Sequence, residues 1–83
     1  MRYVTHPNTD ITSSRIALGT DRLGSHLDKR QSQAVLDEFC FLGGNLIDTA
    51  AVYGDWDADE KSVSEKTIGV WMMEKKNRSE LVI

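Results

Sequence analysis

The chain has one cysteine, one proline, two histidines and two each of tryptophan, tyrosine and phenylalanine in 83 residues. Cys40 alone cannot close an internal disulfide, and a reducing, cytoplasmic setting is the corresponding expectation. His6 and His26 have no cysteine, histidine or carboxylate at ligand spacing, so they read as solvated loop residues and no metal is expected. No apolar run approaches the ~20 residues of a membrane span, and Met1-Arg2-Tyr3-Val4 opens no secretory leader. A strong excess of either charge is missing too. Ten Lys and Arg stand against thirteen Asp and Glu, a formal net charge of -3, and no basic cluster follows one face, which argues against a nucleic-acid partner. With 40% hydrophobic and 28% charged residues, the chain has the make-up of a globular protein. Its length allows one domain at most.

Two short extended pieces, Arg2-Tyr3-Val4 and Asp10-Ile11-Thr12, flank the turn formers Pro7 and Asn8, which predicts a β-hairpin over residues 1–13. The apolar run Arg15-Ile16-Ala17-Leu18 ends at Gly19-Thr20 and reads as a first parallel strand, followed by a loop with Gly24 and Ser25. Asp28-x-x-Gln31 is a capping box that starts a helix, with Val35, Leu36, Phe39 and Leu42 on the sheet-facing side. Phe41 points elsewhere, as a packing residue. Cys40, at the edge of the stripe with no partner base in view, reads as a small core residue and not a nucleophile.

Polar chemistry collects only in the stretch Gly43 to Gly54. Two glycines allow a positive-φ turn at a helix end, Asn45 to Thr49 forms a short strand, and Asp48 closes it. In parallel α/β folds ligands and catalytic side chains sit at the carboxyl ends of strands. Read alone, Asp48 is a turn or cap carboxylate, Tyr53 a half-buried loop aromatic and Gly19-Thr20 a strand-to-loop turn. The loop from Ala50 to Lys61 is acidic and aromatic. It lacks the sixth-position glycine and twelfth-position glutamate of an EF-hand, so a mobile loop is the better reading. Ser62-Val63-Ser64-Glu65 predicts a second capping box, Ile68, Trp71 and Met72 an inward helical stripe, Lys75 and Lys76 a basic helix end, and Asn77 its C-terminal cap. Glu80-Leu81-Val82-Ile83 reads as the opening of a third strand. Strand, helix, strand, helix, strand is an α/β pattern of consecutive βα units.

Leu18-Gly19-Thr20, the segment Asp48-Thr49-Ala50-x-x-Tyr53-Gly54 and the run Ser64-Glu65-x-x-Ile68-Gly69 occur in the order and spacing of one family. From about Ser14 to Ile83 the sequence resembles the aldo-keto reductases. The resemblance implies a (β/α)8 TIM barrel whose bottom is capped by the hairpin, with residues 14–83 as its first βα units. Such a barrel needs roughly 250 residues, so the expectation is an N-terminal portion that is inactive by itself. By resemblance, NADPH passes a hydride to a small carbonyl substrate, Tyr53 protonates the carbonyl oxygen and Asp48 belongs to the same site. Gly19 and Thr20 supply backbone beside the nicotinamide ribose, and Asp48 is counted with them on the cofactor side. A phenol with an ordinary pKa near ~10 is a poor acid at neutral pH. The family's helping lysine and carbonyl-orienting histidine are expected after Ile83, as are its phosphate- and adenine-binding segments. Asp21 stands where the family often has a large side chain, which bears on substrate preference. Glu65 and Gly69 are assigned packing and capping only. The competing reading is non-enzymatic, a barrel-derived interaction module or a redox-sensing subunit resembling potassium-channel β subunits. In either case open sheet edges are expected to be covered by self-association or by the rest of a barrel.

Overall fold

A computed structural model describes residues 1–54 and 61–83. Strands β1 (Tyr3–Thr5) and β2 (Thr12–Ser14) pair antiparallel, with Val4 opposite Ser13. The expected hairpin is present, but its second strand spans Thr12–Ser14 and so begins at the residue where the sequence pattern ends it. Thr9 explains the shift. Its hydroxyl donates to the His6 carbonyl and accepts from the Ile11 N–H, so residues 6 to 11 are held in the turn and cannot join the ladder.

Strands β3 (Ala17–Gly19) and β4 (Leu46–Asp48) pair in parallel, Leu18 against Ile47 and Gly19 against Asp48. Val82 adds a parallel bridge to Leu46 on the far side of β4. Its N–H donates to the Asn45 carbonyl at 2.8 Å and its carbonyl accepts the Ile47 N–H at 2.9 Å. The third strand is therefore reduced here to a bridge. Glu80, expected within it, lies in a 3-10 turn, Arg78–Glu80.

Helix α1 (Lys29–Phe41) starts as predicted, with Asp28 accepting from the Gln31 N–H and the Gln31 side chain accepting from the Asp28 N–H. It ends in a Schellman motif: the Gly43 N–H donates to the Cys40 carbonyl and the Gly44 N–H to the Phe39 carbonyl, both at 2.9 Å, with Gly43 at φ +92°. This stop corrects the expected stripe. Leu42 becomes the C-cap, leaves the helical face and is exposed, whereas Leu36 and Phe39 are buried and Val35 half-buried.

Helix α2 (Val63–Lys75) buries Ile68 and Trp71 as expected, with Met72 partly covered. Its ends differ from expectation. Ser62 sits in the left-handed region, φ 57°, and makes no side-chain cap hydrogen bond, because capping requires an extended backbone at that residue. At the other end Lys76, not Asn77, is the left-handed cap. Asn77 is drawn into the 3-10 turn, where its carbonyl accepts the Glu80 N–H at 2.9 Å.

Both helices pack on β4 around Leu23, Leu36, Phe39, Ile47, Ile68, Trp71 and Leu81, with Leu18, Leu27, Cys40 and Met72 at the margin. Leu36 and Ile47 are almost fully buried, each contributing about 1.5–3 kcal/mol relative to exposure. A polar seam joins the helices. The Trp71 indole N–H donates to Asp37 at 2.9 Å, and Lys29 and Gln33 of α1 reach Glu74 of α2. The Gln33 hydrogen bond first, and Lys29 beside it, hold the Glu74 carboxyl below its ordinary range.

Candidate functional site

The carboxyl ends of β3 and β4 lie side by side. Gly19 and Asp48 are register partners, both on exposed residues, whereas the next residue, Thr20, is completely buried. The Thr20 hydroxyl donates to the Asp48 carbonyl at 2.9 Å. Ser64, also fully buried, donates its hydroxyl to Thr20 Oγ1 at 2.8 Å. A hydroxyl has one proton, so the 3.1 Å contact between Thr49 Oγ1 and Ser64 Oγ has Thr49 as the donor. The polarity is fixed along the whole row: Thr49 to Ser64, Ser64 to Thr20, Thr20 to the Asp48 carbonyl. This row satisfies the buried hydroxyls and ties the ends of both strands to the first turn of α2.

Tyr53 is half-buried in the turn that follows β4. Its N–H donates to the Ala50 carbonyl at 3.1 Å and its carbonyl accepts the Ser64 N–H at 3.3 Å. The first N–H groups of a helix have no partner within it. Since Ser62 offers no side-chain cap, the Tyr53 carbonyl serves one of them. Gly54 turns the chain back at φ +87°, and a Cβ there would stand 3.4 to 3.5 Å from Ser25 and Val63, so the turn lies against the loop after β3 and the start of α2. That loop is itself fixed, with Leu23 in the core and the Gly24 N–H donating to Ser32 Oγ at 3.1 Å.

The residues singled out in the sequence therefore gather in two linked groups. Gly19, Thr20 and Asp48 meet directly, and Tyr53 joins them through Ser64. The acidic part of the expected loop, residues 55–60, lies outside the described residues. Ser64 and Thr49 were not singled out for this role. Ser64 carried a family motif and a place in an expected capping box, and the spacing that would reveal its contacts, 15 residues to Thr49 and 44 to Thr20, leaves no local pattern.

His6 Nε2 lies 2.7 Å from Ser13 Oγ. Among the described residues no three His, Cys, Asp or Glu side chains gather as a metal site, and no helix is long and apolar enough to cross a membrane. Burial, followed by Asp37 and Glu80, pushes the Cys40 thiol above its ordinary value, the direction of an inert core thiol.

The family model described as "Aldo/keto reductase family" matches residues 15–83. Among curated proteins, the NADP(+) aryl-alcohol dehydrogenase of Phanerodontia chrysosporium is 36% identical over 85 aligned positions, covering 93% of this chain and 20% of that protein. Norsolorinic acid reductase stcV of Emericella nidulans is 36% identical over 87 positions, 96% and 21% respectively. Aldo-keto reductase ausK of Aspergillus calidoustus is 34% identical over 90 positions, 99% and 21%. The chain spans about a fifth of the length of these relatives.

Proposed function

Because the chain belongs to the aldo/keto reductase family, we propose that it forms the opening βα units of a (β/α)8 barrel oxidoreductase that reduces aldehydes or ketones to alcohols. The observation that carries the reading is the convergence of Gly19, Thr20 and Asp48 at one strand edge, with Tyr53 tethered beside it by the Ser64 N–H. In parallel α/β folds this is the edge where chemistry occurs.

These residues fit one side of a nicotinamide site. Among the described residues, and leaving aside its own chain neighbours, nothing lies within 4 Å of where a Cβ on Gly19 would stand, so the end of β3 keeps its backbone open to a flat ring. NADPH, when bound, supplies the hydride for the carbonyl carbon. Tyr53 is the residue assigned to give a proton to the carbonyl oxygen, which completes the alcohol without leaving charge on oxygen. Asp48 is assigned to hold the cation that makes the phenolic proton available. The Thr20 hydroxyl is already committed to the Asp48 carbonyl, which leaves its backbone for the cofactor side. By resemblance the lysine, the histidine and the cofactor's phosphate contacts belong to sequence after Ile83, so activity is proposed for the intact polypeptide and not for these residues alone. The exposed Ile16 and Phe41 fit a fold in which further strands and helices, or a second copy, cover them.

The test is NADPH oxidation by the intact polypeptide, expressed from its complete reading frame, with an aromatic aldehyde as first substrate in view of the aryl-alcohol relative. Tyr53→Phe removes the acid and almost no volume, and is expected to lower kcat about 10²- to 10⁴-fold, the range of general acid catalysis, with cofactor binding retained. Undiminished kcat would remove Tyr53 from this role.

A further inference from the structure

Ser64 links the backbones of Tyr53 and Asp48 through two different groups, the first directly and the second by way of Thr20. Its N–H donates to the Tyr53 carbonyl at 3.3 Å. Its hydroxyl, completely buried, donates to Thr20 Oγ1, whose own proton goes to the Asp48 carbonyl. No water competes for a hydroxyl with no exposed surface, so these hydrogen bonds persist only if the partners stay in place. Ser64 also belongs to the first turn of α2, a rigid element seated in the core by Ile68 and Trp71.

We propose that Ser64 is a positioning residue, fixing the carboxyl end of β4 and the Tyr53 turn relative to each other so that the cation held by Asp48 meets the phenol that serves the reacting carbonyl. The proposal rests on the oxidoreductase reading above. Ser64 touches neither substrate nor cofactor in this scheme and acts through the two backbones it holds. Thr49 completes the arrangement by donating to Ser64 Oγ, which leaves the Ser64 proton free for Thr20. The chemistry needs reacting groups held to within about an ångström, and misplacement on that scale costs about 10²-fold in rate.

Ser64→Ala removes the hydroxyl while keeping the helix and the N–H to Tyr53. In the intact polypeptide it should lower kcat about tenfold or more, with the KM for the carbonyl and the affinity for NADPH within about threefold of wild type. Thr9→Ala is the control: it removes the hydroxyl that bonds the His6 carbonyl and the Ile11 N–H in the hairpin turn, outside β3, β4 and α2, and should lower thermal stability with kcat unchanged. Amide NMR spectra of the same proteins read position without turnover. Residues 48–54 should shift in Ser64→Ala and stay in Thr9→Ala. A kcat in Ser64→Ala equal to that of wild type would overturn the proposal, as would unchanged signals for residues 48–54. A wild-type protein that turns over no carbonyl, with residues 48–54 still displaced in Ser64→Ala, would refute the enzymatic reading and uphold the positioning.

Discussion

Asn45→Ala should be the most destabilising single truncation of a polar side chain at the hairpin end of the fold. Asn45 Oδ1 accepts the Ser14 N–H at 2.6 Å, and its Nδ2 donates to the Thr12 carbonyl at 3.1 Å. In return Ser14 Oγ accepts the N–H groups of Asn45 and Leu46 and donates to the Ile16 carbonyl. Ser14 has no exposed surface, so truncation leaves its N–H unsatisfied, a cost of about 1–3 kcal/mol. Thr12 is exposed and its carbonyl can turn to water, which limits that loss to about 0.5–1.5 kcal/mol. The sum is about 1.5–4.5 kcal/mol, a large part of the ~5–15 kcal/mol by which a domain is folded. Asn45→Asp separates the two parts, because it keeps the acceptor for Ser14 and loses only the donor to Thr12. Equilibrium urea unfolding should therefore give Asn45→Asp about a third of the Asn45→Ala loss. Equal losses in the two variants, or a loss below ~1 kcal/mol for Asn45→Ala, would refute the claim that the buried Ser14 N–H dominates.

Two further expectations follow from packing and burial. A Cβ on Gly44 would collide with the Phe39 ring, so Gly44→Ala should cost about 1–3 kcal/mol by overpacking; thermal unfolding checks this, and pairing it with Phe39→Leu should recover part of the loss through a non-additive double-mutant cycle. The folded state holds the Cys40 proton more tightly than the unfolded chain does, so its contribution to stability is present below the unfolded thiol pKa and is lost as pH rises through the folded one; iodoacetamide at pH 8 should label Cys40 more slowly in the folded protein than in urea, and Asp37→Asn should narrow the gap.

The parts of this fold that could be read in the sequence are those decided within a few residues. Asp28 and Gln31 sit three apart and cap each other as expected. Gly43 and Gly44 end α1 because the bonds they make, to Cys40 and Phe39, lie within five residues. The pattern Ser62-x-x-Glu65 has the same appearance as the first capping box and fails, since what decides it is the left-handed backbone of Ser62 and the arrival of the Tyr53 carbonyl at the Ser64 N–H, eleven residues downstream of it. The sequence offers Asn77 as the cap of α2, yet the 3-10 turn claims it and Lys76 takes the left-handed conformation instead. Asn45 and Ser14 left no local signal at all. Their bonds span 31 residues, and only the closed parallel pair brings them together.

The two polar clusters stand at opposite ends of β4. At its amino end, Asn45 and Ser14 join the hairpin to the sheet, and Tyr3 adds a hydroxyl bond to the Gly43 carbonyl at 2.6 Å. At its carboxyl end, the Thr49, Ser64, Thr20 row fixes the backbone and leaves the Asp48 carboxylate on an exposed residue. Ile47, buried to 2% exposure, lies between them and gives neither end freedom to slide, because a shift of one residue would turn it out of the core. The register set by Leu18 against Ile47 thus does two things at once. It closes the apolar layer, and it delivers Gly19 beside Asp48, so any substitution that shifts β4 to relieve the hairpin end would also misplace the strand edge where the proposed chemistry occurs.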